Sequence, residues 1–181
     1  MWFTTHTALL LVLIGFGVGA FGTLIGAGGG FILTPILLLL YPHDSAQTLT
    51  AISLAVVFFN AASGSLAYAR QRRIDYRSGA VFALATLPGA IGGALVVGSV
   101  SRHLFDGIMG GVLAFLAVWL LGGERWPLPS PKRGLEQRTL VDRAGDTYAY
   151  SVPLRRGALY SLGVGFLSSF LGIGGGVIHV P

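Results

Sequence analysis

The groups in this sequence best suited to chemistry are backbone groups exposed by glycines within apolar stretches. An apolar helix that breaks at a glycine cluster leaves N–H groups without helical partners, which a membrane protein tolerates around a cavity. Such N–H groups can bind an anion. The alternative is that the glycines only let helices pack closely. The candidate binding glycines form two triplets: Gly28, Gly29 and Gly30, and Gly174, Gly175 and Gly176.

A polar stripe predicts side chains near the first glycine cluster. Thr50, Ser53, Asn60 and Gly64 follow one another at spacings of three, seven and four, so they share one helical face. Asn60 either contacts a substrate or hydrogen bonds to the broken first helix. The two hydroxyls are weaker candidates, because Ser and Thr often bond back to their own helix. Pro35, five residues after the first triplet, limits how the chain resumes and completes the candidate set.

No catalytic constellation is present in the sequence. The four histidines are scattered, and there is no cysteine, so we predict no enzyme activity, no metal site and no cofactor. His179 is the only ionisable residue predicted deep in a span, and its place in the chain favours a packed neutral histidine. Arg102 and Asp106, four residues apart, predict an ion pair at a helix end. Without a buried acid, transport driven by membrane potential stays open beside proton coupling.

The elements that position these groups are apolar helices. Hydrophobic residues make up 53% of the 181 residues and charged residues only 10%, against about 25% charged in soluble domains. This predicts an all-α, polytopic integral membrane protein of about five transmembrane segments, with glycine-broken first and fifth helices and the lipid bilayer as a partner. The segments are residues 8–41, 46–69, 79–100, 104–121 and 157–181. The first either crosses once or is a re-entrant hairpin, and Pro88 predicts a kink in the third.

The basic residues predict orientation. Eleven of the twelve Lys and Arg residues lie in loops 70–77 and 122–156, which places both loops in the cytoplasm. The net charge of +5 therefore reflects a multi-pass protein of the cytoplasmic membrane and not nucleic-acid binding. We divide the chain into a first transmembrane repeat (1–122), a cytoplasmic linker (123–156) and the start of a second repeat (157–181). The linker is expected to be irregular, with a weak strand signal over 148–152.

An internal repeat is the strongest single pattern. Residues 17–35 and 163–181 align without a gap at an offset of 146, and nine of the 19 positions are identical. The identities include a Gly-x-Gly, the triple glycine and the closing proline. Duplicated halves are typical of secondary transporters, whose sites lie where the repeats meet.

These motifs resemble those of the sulfite exporter TauE/SafE family of membrane permeases. The resemblance rests on Gly26 to Ile32 with Pro35, on positions 46–54, on Asn60, Gly64 and Tyr68, on Arg73 to Tyr76, on Pro88 to Gly93, and on the second glycine cluster with Pro181. It covers nearly the whole chain apart from residues 122–156.

The resemblance implies a permease for a small sulfur-containing anion such as sulfite or a sulfonate. Members of the family usually have seven or eight spans, whereas this sequence stops within the fifth. Two alternatives therefore stay open. Two chains could pair as a homodimer that completes the second repeat, or the chain could be a non-transporting membrane subunit or an inactive remnant of a transporter.

Overall fold

The computed structural model describes residues 5–25, 28–122 and 135–175, which form mainly helices. The helices are α1 (Thr5–Ile25), α2 (Gly30–Leu40), α3 (Ala46–Arg70), α4 (Tyr76–Val97), α5 (Arg102–Leu121) and α6 (Leu154–Leu171). The strands are β1 (Glu136–Val141) and β2 (Thr147–Val152).

The long first apolar segment is broken at its glycines. Helix α1 ends at Ile25, and α2 begins at Gly30 after Gly28 and Gly29 adopt positive φ angles of 74° and 84°. Side-chain-bearing residues rarely adopt this conformation, so the helix ends where glycine permits it. The prolines have less effect on continuity, because α2 runs on through Pro35 and α4 through Pro88.

The helices present apolar side chains outward. By length and composition, α3 and α4 are each able to cross a membrane, whereas α2 is a shorter apolar helix. Large apolar side chains on these helices and on α1 are mostly exposed: Phe59 is 72% exposed, Leu95 72% and Leu13 71%. Contiguous apolar surface of this kind is unfavourable in water and suits contact with lipid.

The buried core gathers around the end of α6. Phe105 of α5 and Leu171 of α6 are fully buried, and Leu49 of α3 is 1% exposed. The rings of Phe105 and Phe170 lie 5.5 Å apart between centroids. This core holds the carboxyl end of α6 against α3.

Helices α4 and α6 pack with their backbones in close approach. A Cβ atom added at Gly89 or Gly93 of α4 would collide with the α6 carbonyls of Leu162 and Phe166. The reverse holds for Gly165 of α6, which lies against the carbonyl of Thr86. Small residues are required where helices approach this closely, so these glycines fix α6 beside α4.

Arg102, at the start of α5, caps another helix. Its guanidinium donates to the carbonyls of Leu38 (2.8 Å), Tyr41 (3.3 Å) and Asp44, which lie at and beyond the end of α2. Its Nε also binds Asp106 at 2.8 Å, which confirms the predicted ion pair. The carbonyls that end α2 are thus satisfied by a cation, as the helix dipole favours.

The segment predicted to be an irregular linker contains a β-hairpin, so that expectation was wrong for residues 136–147, whereas β2 confirms the weak strand signal over 148–152. Strands β1 and β2 pair antiparallel, with Glu136 opposite Val152. The hairpin docks on the loop between α3 and α4, where Arg73 binds Asp142 at 2.9 Å and the Tyr150 hydroxyl donates to Asp75 at 2.9 Å. Helix α6 follows β2 after one residue and starts at Leu154, three residues before the predicted span.

Candidate functional site

The second glycine cluster lies where a helix ends. Helix α6 ends at Leu171, and Gly172 and Gly174 have φ angles of 70° and 77°. Gly174 stands 146 residues after Gly28, whose φ is 74°. The equivalent glycines of the two similar segments therefore share the same left-handed backbone conformation.

The start of α2 and the end of α6 meet on one face of α3. A Cβ atom added at Gly30 would lie 2.6 Å from the carbonyl oxygen of Gly172 and 2.7 Å from Cγ2 of Val57. One added at Gly174 would lie 3.0 Å from Cγ1 of the same valine. Because glycine alone leaves this space free, the start of α2 and the end of α6 approach each other. We call this place the glycine junction.

Three buried polar groups form a hydrogen-bonded cluster at the glycine junction. The Ser53 hydroxyl donates to the carbonyl oxygen of Gly172 at 2.7 Å. The Thr34 hydroxyl lies 2.9 Å from that same carbonyl and 2.9 Å from the Ser53 hydroxyl, and it can donate to one of them at a time. Both side chains are 0% exposed. The two hydroxyls satisfy a carbonyl that the end of α6 leaves without a helical partner.

The opposite helix end brings donors to the junction. Gly29 precedes α2 and provides no side-chain cap. Within residues 28–122 and 135–175, no backbone carbonyl accepts from the N–H groups of Gly29, Gly174 or Gly175. The start of a helix carries partial positive charge. N–H groups without backbone partners and the rotatable hydroxyls of Thr34 and Ser53 thus lie near the glycine junction, and such groups can bind a small anion.

The predicted site residues fall into three places. Thr50 and Ser53 reach the junction, but Thr50 bonds back to the carbonyls of Ala46 (2.9 Å) and Gln47 (3.0 Å) on its own helix. Asn60 lies apart, where its side-chain oxygen accepts a 3.0 Å hydrogen bond from Thr23 of α1. Gly64, on the same stripe, has no described atom within 4 Å of a built Cβ.

Pro35 and Gly176 do not join the described junction. Pro35 lies on another face of α2, where it lines a cleft with Leu38 and Met109 that opens toward α5. Gly176, like His179, falls outside the described residues.

Sequence reasoning missed Thr34, Thr23 and the carbonyl of Gly172. Thr34 is the only polar side chain in α2, and a lone hydroxyl in an apolar helix is a signal that could have found it. Thr34 is not part of the duplicated pattern, because Val180 stands at the equivalent place in the second segment.

The perturbed ionisable groups lie away from the junction, at the hairpin. Hydrogen bonds from Ser78, first from its hydroxyl and then from its N–H, lower the pKa of Asp75 to about 2, and the Tyr150 hydroxyl adds to the effect. The guanidinium of Arg73 lowers the pKa of Asp142. Among the described residues, no cluster of three His, Asp or Glu side chains could hold a metal ion.

The chain is similar in sequence to known membrane transporters. The family model described as sulfite exporter TauE/SafE matches residues 11–181. The chain is 33% identical to a probable membrane transporter protein, YunE, of Bacillus subtilis, over 96% of this chain and 66% of that protein. It is 27% identical to a probable membrane transporter protein of Methanocaldococcus jannaschii, over 95% of this chain and 60% of that protein. The chain thus spans under two thirds of the length of either relative, and no solved structure matches it.

Proposed function

This chain belongs to the sulfite exporter TauE/SafE family of membrane transporters, and from that premise we propose that it forms a permease for a small anion. The substrate class is sulfite, a sulfonate or a related organosulfur compound, and the membrane is the cytoplasmic one. The anion binds at the glycine junction. The observation that carries this proposal is the approach of Gly30 to the carbonyl of Gly172, since it brings the start of α2 and the end of α6 to one point.

The proposed membrane topology has five apolar segments. The pair α1–α2 forms the first, α3, α4 and α5 the next three, and α6 the fifth. The loop between α3 and α4 and the docked hairpin then share the cytoplasmic side, in accord with their arginines. The hydrogen bonds between Arg73 and Asp142 support this assignment, because they require loop and hairpin to lie on one side of the bilayer.

The proposed recognition uses an exchange of partners. Without substrate, the hydroxyls of Thr34 and Ser53 bond with each other and with the carbonyl of Gly172. An arriving anion offers stronger acceptors, since hydrogen bonds to a charged group are about twice as strong as neutral ones. The hydroxyl protons rotate toward the anion oxygens, while the N–H groups of Gly29 and Gly174 complete its coordination. No ionised side chain is needed, so binding stays weak enough to permit release.

Flux measurement tests this function. Purified protein in liposomes is given sulfite or a sulfonate under an imposed membrane potential of either sign, and uptake is followed. We expect Thr34→Val and Ser53→Ala to lower the initial rate by about tenfold. The matched control is Ser65→Ala, a hydroxyl deletion on an exposed part of α3. Equal rates in all three variants, or no flux with any of these anions, would contradict the proposed site or substrate class respectively.

We also propose that two copies of the chain assemble. Gly165 of α6 packs against α4, whereas Gly19, its equivalent 146 residues earlier, has no atom of the described residues within 4 Å of a built Cβ. A helix like α4 from a second copy would cover this face of α1. A cross-linked dimer after mild detergent extraction is the expected result, and a strict monomer would contradict it.

The open face of α1 also favours the second candidate function, a membrane subunit or remnant that does not transport. The liposome assay separates the two. A dimeric preparation without flux for any sulfur oxyanion would support the non-transporting subunit, and flux would exclude it.

A further inference from the structure

A polar cleft lies between the α3–α4 loop and the hairpin, away from the glycine junction. Its volume is about 380 Å³. Arg72, Asp75 and Tyr76 line it from the loop side, and Arg138, Thr139 and Tyr150 from the hairpin. The proposed transport function does not use any of these groups. We call this space the hairpin cleft.

The hairpin cleft contains a cationic group with an unused donor. Arg138 is largely buried, with 16% of its side chain exposed, and its terminal nitrogen binds Glu136 at 2.8 Å. Its Nε is buried, and no acceptor among the described residues lies within hydrogen-bonding distance. A buried donor without a partner is unfavourable. An oxygen of a bound anion would satisfy it.

Arg72 supplies the second cation, and its backbone is in the left-handed conformation. Its N–H donates to the carbonyl of Ala69 and that of Arg73 to the carbonyl of Tyr68, the pattern that closes a helix around a left-handed residue. Glycine is the usual residue at this position, yet Arg72 occupies it with a φ of 56°. The strained position holds a guanidinium at the wall of the hairpin cleft.

The one carboxylate that lines the cleft is already occupied. Asp75 accepts from the N–H of Ser78 (3.1 Å), from the Ser78 hydroxyl (2.6 Å) and from the Tyr150 hydroxyl. These donors occupy its lone pairs. Arg138 is paired with Glu136, so Arg72 is the lining cation whose side chain has no ion pair among the described residues. The charged lining residues Arg72, Arg138 and Asp75 sum to +1 before the Glu136 partner of Arg138 is counted.

The position of the hairpin cleft suggests the source of an anion. Ala69 and Tyr76, which line it, belong to the facing ends of α3 and α4, the two helices with the length and composition to cross a membrane. The cleft therefore lies at the level where lipid headgroups meet water, and tyrosine is common at that level.

We propose that the hairpin cleft binds a phosphate group and that an anionic phospholipid of the adjacent leaflet supplies it. Arg138 binds one phosphate oxygen through Nε, and Arg72 binds another from the opposite wall. Arginine suits this role because its guanidinium matches the geometry of phosphate oxygens.

Native mass spectrometry of the full chain in detergent tests the proposal with phosphatidylglycerol and phosphatidylcholine as probes. We expect the wild type to retain phosphatidylglycerol preferentially. Arg138→Gln and Arg72→Gln should each weaken its binding by about tenfold. The matched control is Arg143→Gln, which removes the same charge from the exposed hairpin turn outside the cleft. Equal retention of the two lipids, or equal loss in all three variants, would overturn the proposal.

Two further measurements keep the result interpretable. Limited proteolysis of the hairpin shows whether Arg138→Gln still docks, and Arg72→Gln tests the cleft even if it does not, because the Arg72 side chain makes no described hydrogen bond. Inorganic phosphate is then added as a competitor. Displacement of the lipid by millimolar phosphate supports a phosphate site open to both sources, and resistance to displacement supports the lipid alone.

Discussion

The hydroxyl of Ser53 on α3 donates to the carbonyl of Gly172 at the end of α6 across 2.7 Å, although 119 residues separate the two in sequence. Thr34 of α2 lies within hydrogen-bonding distance of both groups. This cluster joins α3 to the start of α2 and the end of α6. We expect it to stabilise the glycine junction.

Removing a hydroxyl from this cluster should lower the free energy of unfolding. We expect Thr34→Val and Ser53→Ala each to cost about 1–2 kcal/mol, because a buried carbonyl loses a donor. The loss of unfolding free energy in the double variant should differ from the sum of the two single losses, because the two hydroxyls share one acceptor. Thermal unfolding in detergent measures these values, with Ser65→Ala as the control. Strict additivity would indicate that the hydroxyls act independently.

The left-handed glycines should be sensitive to alanine. Gly28→Ala and Gly174→Ala each force a side-chain-bearing residue into a φ near 75°, which costs about 1–2 kcal/mol. Gly174→Ala should cost more, because its Cβ would lie 3.0 Å from Val57 whereas that of Gly28 would lie 3.9 Å away. Unfolding temperature and liposome flux are both measured.

Gly145→Ala is the control for this pair. Gly145 in the hairpin turn has a φ of 92° and open space around it, so alanine there should destabilise the hairpin without changing flux. A similar loss of flux in this variant would mean that transport responds to stability alone.

The close approach of α4 and α6 should not tolerate a methyl group. Gly89→Ala would drive its Cβ into the carbonyl of Leu162, and we expect a loss of about 1–3 kcal/mol. Gly107→Ala on α5 is the comparison, since it meets open space and alanine favours a helix by up to about 1 kcal/mol. Thermal unfolding of both variants should move in opposite directions.

Arg102 should contribute more to the free energy of unfolding than its ion pair with Asp106 alone. Arg102→Gln removes a charged donor from the carbonyls beyond α2, and we expect a loss of about 2–3 kcal/mol. Asp106→Asn removes only the pairing at a half-exposed carboxylate and should cost less than about 1 kcal/mol. Equal unfolding free energies for the two variants would assign the whole effect to the ion pair.

Docking of the hairpin should depend on pH in the acid range. The folded pKa of Asp75, about 2, lies below its ordinary value of 3.8, so its contribution is fully present above pH 4. The contribution is lost as the pH falls from about 4 through 2. Tyr150→Phe removes one donor and should raise the pKa of Asp75, which carboxyl-carbon NMR measures. An unchanged pKa in this variant would mean that the tyrosine does not hold the carboxylate.

The sequence was most informative where glycine governs the backbone. The end of α1 at Ile25 and the end of α6 at Leu171 both fall at the predicted glycine clusters, because glycine permits the positive φ angles that follow. Pairings distant in sequence were not predictable: Thr34 meets a carbonyl 138 residues away. Pro35 was expected to limit how the chain resumes, but α2 begins at Gly30 and continues through it to Leu40.

The first strand of the hairpin was missed for a different reason. Strand β1 (EQRTLV) does not alternate between polar and apolar residues, whereas β2 (TYAYSV) does, in agreement with the weak strand signal over 148–152. Much of its anchorage comes from Asp75 and Arg73, which belong to another part of the chain. The stripe on α3 was predicted to share one face, with Asn60 either contacting substrate or bonding to the broken first helix. Asn60 accepts from Thr23 of α1, which is the second alternative, while Ser53 donates to Gly172. Helical periodicity gives a shared face but not the neighbour that each residue meets.

The close fit of Gly89 and Gly165 has a mechanical consequence. The backbones of α4 and α6 are in direct contact, and the single residue Pro153 separates the hairpin from α6. We therefore expect α4, α6 and the hairpin to move as one body. The hydroxyls of Ser53 and Thr34 lie within hydrogen-bonding distance of the Gly172 carbonyl and so connect α6 to α3 and α2. Any motion that separates α6 from these two helices must first break these hydrogen bonds.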